Sequence, residues 1–100
     1  MRIKRGWSLD YGKYRFDVEA DETDLLRTLA ELGAADPAKV SAAMSPIDVY
    51  LALDHEAQAF AHHALAKAEP DKSAEHYAAA TEHLAKRDAV IRKYVPAPAG

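Results

Sequence analysis

Two alanine-rich stretches joined by one proline-containing turn fill the second half of the sequence, and they constrain the fold more than any other feature. Ser45-Pro46 supplies an N-cap and a first helical residue, and Asp48 follows at the position of a capping box. Glu69-Pro70-Asp71 then interrupts the pattern, because proline cannot continue a helix. We therefore predict helices over residues 46–68 and 72–94 that fold back on each other as a long antiparallel hairpin.

Alternation of apolar and polar residues near the start of the chain predicts a β-hairpin. The pattern runs over residues 2–9 and 13–19, and Asp10-Tyr11-Gly12 supplies a turn between them. An isolated two-stranded hairpin is only marginally stable in water. We therefore expect the apolar side of this hairpin, over residues 2–19, to lie on the helices or to pair with another chain.

Two shorter helices are predicted between the β-hairpin and the helical hairpin. Leucines at helical spacing favour a helix over residues 23–32, which Gly33 can end. Asp36-Pro37 has the form of an N-cap and a first helical residue. It therefore starts a short helix over residues 37–43.

Length and composition fit one small domain and exclude several classes of protein. We predict a single α+β, predominantly helical domain over residues 1–95, with a frayed tail over residues 96–100. The absence of cysteine excludes disulfides and thiolate metal sites. The longest strongly apolar run, from Val49 to Leu53, is too short to span a membrane, so we expect a cytoplasmic protein without a membrane partner.

Alanine dominates the predicted helical hairpin and suggests how its two helices pack. Folding the chain about Pro70 places residue i near residue 140 − i, roughly, which sets Ala78 opposite His62. Rows of alanine would then line a close seam between the helices. Under this interpretation Ala61→Leu and Ala78→Leu each overpack the seam and cost about 1–3 kcal/mol.

Five histidines lie on these two helices: His55, His62, His63, His76 and His83. Histidines seven residues apart share a helix face, and with Glu56, Glu75 and Glu82 nearby they could hold a transition metal. Neither His-x3-His nor Glu-x-x-His occurs, and an inner row of alanines would push the imidazoles to the flanks. We therefore predict no metal ligand and no cofactor, and we keep a His/Glu metal-binding helical protein as an alternative.

A further hypothesis concerns pH. If His62 and His76 face each other across the helical hairpin, protonation of both imidazoles would strain it. The hairpin would then lose stability in mild acid.

Basic residues are concentrated at the start of the chain. Arg2, Lys4, Arg5, Lys13 and Arg15 stand against the single carboxylate of Asp10. With aromatic residues between them, they suit stacking and phosphate contact in nucleic-acid binding. Asp17 and Glu19 share the face of Arg15, however, which favours ion pairs across the strands. A nucleic-acid-binding regulator is therefore the first alternative function.

No residue pattern in the chain indicates a reaction. Adjacent residues on a helix point about 100° apart, so Asp54-His55-Glu56 cannot converge on a substrate. The serines lack the context of a nucleophile elbow, and the scattered glycines form no phosphate-binding loop. We therefore predict no catalytic residue and a non-enzymatic protein.

The leading prediction is a self-associating protein–protein interaction module of an accessory or regulatory type, present as a homo-oligomer. Its basis is the lack of catalytic motifs together with more apolar surface than a thin helical hairpin can cover. Aromatic residues dominate the energetics of interfaces. The predicted interface anchors are Trp7, Tyr11, Tyr14, Tyr50 and Phe60.

Overall fold

The structure is a computed structural model that describes residues 4–96, apart from the side chains of Lys4, Arg5 and Trp7. In chain order its elements are β1 (Lys4–Tyr11), β2 (Tyr14–Asp21), α1 (Glu22–Glu31), α2 (Pro37–Ala43), α3 (Pro46–Ala68) and α4 (Ser73–Ile91). The predicted class, α+β and predominantly helical, is confirmed. Both α2 and α3 have the bounds expected from their proline starts. Of the predicted tail, only Pro96 falls within the described residues.

The two strands form an antiparallel hairpin whose turn comes later than the sequence suggested. Tyr11 stands opposite Tyr14, so the turn consists of Gly12 and Lys13. Gly12 has a φ of 69°, in the left-handed region that favours glycine. The predicted turn at Asp10-Tyr11-Gly12 was wrong, because a two-residue loop with glycine first keeps Tyr11 in the strand.

Helix α1 has well-formed ends that fix its position after the β-hairpin. Asp21 caps its first turn, and the Asp24 carboxylate accepts a hydrogen bond of 2.9 Å from the backbone N–H of Asp21. Gly33, with a φ of 104°, ends the helix. The backbone N–H of Ala34 then donates to the carbonyl of Leu29 at 2.9 Å, as in a Schellman motif.

Helix α3 is the central element of a flat molecule that measures 41 × 35 × 17 Å. The β-hairpin packs along one side of α3 and α4 packs along another. The apolar core lies where α1, the first half of α3 and the end of α4 meet, around the fully buried Leu29, Leu53 and Ile91. Towards the turn at Pro70–Lys72 most buried apolar residues are alanines, which supply little apolar area.

The seam between α3 and α4 differs from the predicted alanine seam. His62 faces His76 and His55 faces His83, so the numbers of facing residues add up to 138 rather than to roughly 140. A shift of two positions turns the inward face of a helix by about 200°, at about 100° per residue. Ala78 is therefore exposed and imidazoles occupy the seam. The prediction that alanines would push the histidines to the flanks was wrong.

Candidate functional site

Four imidazoles form a continuous row inside the helical hairpin, which we call the histidine ladder. In order, the ladder contains His76, His62, His83 and His55, and the ring centroids of successive members lie 5.6, 5.6 and 5.4 Å apart. The rings of His62 and His83 are stacked, with an interplanar angle of 17°. The fifth histidine, His63, is exposed and lies outside the ladder.

Two contacts in the ladder bring Nδ1 atoms close to each other. The Nδ1 atoms of His55 and His83 are 3.1 Å apart. This separation is within the range of about 2.7–3.2 Å that is usual for an N–H donor, so one Nδ1–H donates to the bare Nδ1 of its partner. The Nδ1 atoms of His62 and His76 are 3.4 Å apart, which is longer than that range. The two pairs therefore differ in how closely their nitrogens approach.

Glu69 fixes the orientation and the tautomer of His76. Its Oε1 lies 2.9 Å from Nε2 of His76, whose side chain is only 16 % exposed. An ionised carboxylate can only accept hydrogen bonds, so a neutral His76 carries its proton on Nε2. The Nδ1 of His76 is then the bare nitrogen, on the side of His62. The same hydrogen bond lowers the pKa of the Glu69 carboxyl.

Burial favours the neutral form of two members of the ladder. It lowers the pKa of His55, and the neighbouring His83 adds to this effect. Burial also lowers the pKa of His62, with further contributions from His83 and His76. A neutral imidazole has a bare nitrogen that can accept a hydrogen bond or bind a metal ion.

The β-hairpin covers the histidine ladder at His62. The Tyr11 ring meets the His62 ring edge-on, with 5.2 Å between the centroids. Burial raises the pKa of the Tyr11 hydroxyl, and the nearby Asp54 adds to the shift, so Tyr11 is protonated at neutral pH. The predicted interface anchor Tyr11 thus contacts the interior of the molecule.

A second candidate site lies between β2, α1 and α3, and we call it the hairpin groove. It is a depression of about 400 Å³ whose apolar lining comes from Val18, Ala20, Ala57 and Phe60. Its charged lining comes from Asp17, Glu19, Asp24, Arg27 and Glu56. The groove therefore combines an apolar surface with a mostly acidic border.

The described interface anchors lie on two different elements, with Tyr11 opposite Tyr14 on the β-hairpin and Tyr50 and Phe60 on α3. Tyr11 and Tyr14 are half-buried on the β-hairpin, whereas Tyr50 and Phe60 are exposed on α3. The side chain of Trp7 lies outside the described residues. Of the four anchors that are described, Phe60 is the one that lines the hairpin groove. The role of all five in an interface stays a prediction.

The predicted nucleic-acid surface is engaged in local contacts where it is described. Arg15 Nε donates to the Ser8 hydroxyl at 3.0 Å, and that hydroxyl donates to Asp17 at 2.9 Å. Arg15 also lies 3.7 Å from Asp17, so its ion pair forms within β2 rather than across the strands. Arg2 and the side chains of Lys4 and Arg5 lie outside the described residues. Arg15 is therefore engaged in local contacts, and nucleic-acid binding by this surface stays a prediction.

The side chains of Asp54-His55-Glu56 diverge, as expected for neighbours on a helix. Asp54 accepts a hydrogen bond of 2.9 Å from Gln58. His55 belongs to the histidine ladder, and Glu56 forms an ion pair with Arg87. The three residues therefore serve three separate sets of contacts.

Comparisons with known proteins give no indication of function, so a proposal must rest on the geometry of the molecule. No protein-family model, curated protein or solved structure matches this chain. None of the helices in the described part of the chain combines the length and apolar character that crossing a membrane requires. Within residues 4–96, no three His, Asp or Glu side chains converge as in a closed metal site.

From the sequence alone, we considered that His62 and His76 could face each other across the helical hairpin. We did not predict that four histidines form one continuous row. A signal for it was present in the spacing, because His55 and His62 are separated by seven residues, as are His76 and His83. In an antiparallel hairpin, equal spacing means that if one pair faces across the seam, the other pair does too. What the sequence did not provide was the choice of inward face on α4.

Proposed function

We propose that this protein is a non-enzymatic, self-associating interaction module in which a second copy of the chain covers the hairpin groove. The observation that carries the proposal is the 64 % exposure of Phe60 beside the apolar lining of the groove. Full burial of a phenylalanine side chain is worth about 1.5–3 kcal/mol. An exposed ring that continues an apolar depression is therefore a favourable contact point for a partner.

The incomplete cover of the β-hairpin supports the same proposal. Each described strand pairs with only one other, so both strands keep an open edge. Tyr14, Phe16 and Val18 are only half-buried on the side of the hairpin that they share. A two-stranded hairpin gains stability when further strands or apolar surface are added to it.

A two-fold symmetric dimer could bury both the exposed Phe60 and the apolar lining of the hairpin groove in a single interface. In such a dimer Phe60 of each copy can enter the groove of the other, because each surface patch meets its own equivalent. Charge supports attraction between the copies. The groove is lined by four carboxylates and one guanidinium, whereas residues 1–15 contain five basic residues and one acidic residue. Opposite charges of this kind promote and orient encounter.

The proposal is tested by measuring molar mass with light scattering after gel filtration, over about a hundredfold range of protein concentration. We expect a mass that rises with concentration towards twice the chain mass of 10.9 kDa. Phe60→Ser should hold the mass at that of a single chain while the helical circular dichroism signal stays unchanged.

Ile47→Ser is the matched control for Phe60→Ser. Ile47 is also an apolar residue of α3 and is 72 % exposed. It lies about 140° from Phe60 around the helix axis, at about 100° per residue. The control should therefore dimerise like the wild type. A wild-type mass of one chain at every concentration, or equal loss of dimer in both variants, would refute the proposal.

A further inference from the structure

We propose that His62 and His76 bind one zinc ion through their Nδ1 atoms, with Glu69 as the carboxylate that orients His76. The site is formed within one copy of the chain and lies at the end of the helical hairpin near the Pro70–Lys72 turn. It is separate from the hairpin groove and does not depend on self-association. Water supplies the remaining ligands of the ion.

The separation of the two nitrogens is the first observation behind the proposal. Zinc binds imidazole nitrogens at about 2.0–2.1 Å in a tetrahedron, so two such ligands lie about 3.3–3.4 Å apart. The Nδ1 atoms of His62 and His76 are 3.4 Å apart. By contrast, the 3.1 Å separation in the His55–His83 pair fits a direct hydrogen bond. The distances therefore assign the ion to the first pair and not to the second.

The same separation favours zinc over ions that prefer a square-planar arrangement. Adjacent ligands of a square-planar Cu²⁺ or Ni²⁺ ion, with bonds of about 2.0 Å, lie only about 2.8 Å apart. The rings of His62 and His76 would have to move closer together to reach that spacing. Such a movement of His62 would disturb its stacking on the His83 ring and its edge contact with the Tyr11 ring.

The hydrogen bond from His76 to Glu69 is the second observation. Metal-binding histidines generally donate the other ring N–H to a carboxylate or carbonyl, which fixes the tautomer and the ring orientation. Glu69 Oε1 is 2.9 Å from Nε2 of His76, so this arrangement is already in place. It leaves the Nδ1 lone pair of His76 on the side of the His62 Nδ1.

The number of protein ligands defines the kind of site. Within the described residues no third His, Asp or Glu side chain joins these two nitrogens at one point. A zinc ion held here therefore keeps two positions of its tetrahedron for water or a small exogenous ligand, and it has one protein ligand fewer than the usual catalytic zinc site.

Calorimetric titration of the full-length, tag-free, metal-free chain with zinc chloride at about pH 7.5 tests the proposal, since neutral imidazoles are the binding form. We expect one equivalent of zinc per chain in the wild type. His62→Gln and His76→Gln should each lose this binding. Glu69→Gln should weaken it by about 10–100-fold, the usual effect of removing an orienting partner.

His63→Gln is the matched control, because His63 neighbours His62 in the sequence but is exposed and lies outside the ladder. This variant should bind zinc like the wild type. No binding by the wild type would overturn the proposal. So would unchanged binding by His62→Gln, or equal loss in His63→Gln.

Ring-proton NMR of the wild type keeps the test decisive if a variant fails to fold. Addition of zinc should shift the ring signals of His62 and His76 and leave those of His63 in place. Titration with Co²⁺, which can replace zinc, should give the strong visible absorption of a four-coordinate ion. Ring shifts centred on His63, or spread equally over all five histidines, would contradict the assignment.

Discussion

Arg87 Nη1 lies 3.0 Å from Glu56 Oε1, and this ion pair joins α4 to α3 where the apolar core gives way to the histidine ladder. Both side chains are largely buried, with exposures of 14 % for Arg87 and 24 % for Glu56. Burial raises the pKa of the Glu56 carboxyl, and Arg87 opposes that shift. The Glu56 carboxylate would therefore be unfavourable in this position without Arg87, whereas Arg87 also pairs with Asp88 at 3.0 Å.

Removal of one member of this ion pair should destabilise the fold. We expect Arg87→Met to lower the free energy of unfolding by about 1–3 kcal/mol, between the effects of breaking a surface pair and a fully buried one. The physical reason is that the Glu56 carboxylate would remain half-buried without its cation. Urea denaturation followed by circular dichroism gives the value.

The double variant Glu56→Gln/Arg87→Met is the control for that experiment. It removes both charges, so it should recover part of the stability lost in Arg87→Met. An Arg87→Met protein as stable as the wild type would show that the ion pair does not support the seam.

Alanine positions on the two long helices should differ sharply in their tolerance of a larger side chain. Ala61 and Ala80 are both 0 % exposed, whereas Ala78 lies on the surface. We expect Ala61→Leu and Ala80→Leu to cost about 1–3 kcal/mol each through overpacking. Ala78→Leu should change stability by no more than about 0.5 kcal/mol. Thermal unfolding of the three variants checks this order, and a disruptive Ala78→Leu would restore the predicted alanine seam.

The start of α3 and the end of α1 could be predicted because single residues determine them, whereas α4 ends at Ile91 and not at residue 94 as expected. Ser45 accepts a hydrogen bond of 3.2 Å from the backbone N–H of Asp48, as its position before Pro46 suggested. Gly33 ends α1 with a positive φ, which glycine adopts at little cost. Local rules of this kind act within a few residues, so they can be applied to a sequence without knowing the tertiary structure.

The inward face of α4 could not be predicted in the same way. Tyr77, Leu84 and Ile91 recur every seven residues, yet Tyr77 is exposed and Ile91 is fully buried. A seven-residue repeat drifts by about 20° per repeat on a straight helix, so these three residues stay within about 40° of one another. The difference in exposure follows from position along the helix, because Ile91 lies in the apolar core, whereas Tyr77 lies near the Pro70–Lys72 turn. Alanines on all sides of α4 give little preference for any face. Packing against α3 decides the face, and both candidate sites depend on that packing.

The stability of the protein should depend on pH through His55. Its pKa is lowered from the ordinary value of 6.5, first by burial and then by His83. The folded state therefore binds fewer protons than the unfolded state, and the free energy of unfolding falls as the pH drops below about 6.5. We expect the melting temperature, measured with a chelator present, to be lower at about pH 5.5 than at about pH 7.5.

Replacement of His55 should reduce that pH dependence. In His55→Gln the difference in melting temperature between the two pH values should be smaller than in the wild type. His63→Gln removes an exposed imidazole outside the ladder and should keep the wild-type difference. If His55→Gln and the wild type respond equally to acid, the imidazole of His55 does not oppose protonation in the folded protein.

A carboxylate at the start of α3, that of Asp48, also links stability to pH. The Tyr94 hydroxyl donates a 2.6 Å hydrogen bond to Asp48 and lowers the pKa of this carboxyl below its ordinary value of 3.8. Stability from this contact is present above that value and is lost as the pH falls through the folded-state pKa. Tyr94→Phe should therefore lower the melting temperature at neutral pH, and its deficit should shrink in strong acid. A deficit that is independent of pH would indicate lost packing instead.

The seam of imidazoles is the central claim, because the pH dependence and the zinc site both require it. It is tested most directly by a nuclear Overhauser spectrum of the ring protons of the metal-free protein. We expect cross-peaks from the His62 ring to the rings of His76 and His83, whose centroids both lie 5.6 Å away. Cross-peaks from the His62 ring to the methyl group of Ala78, with none to His76 or His83, would contradict it.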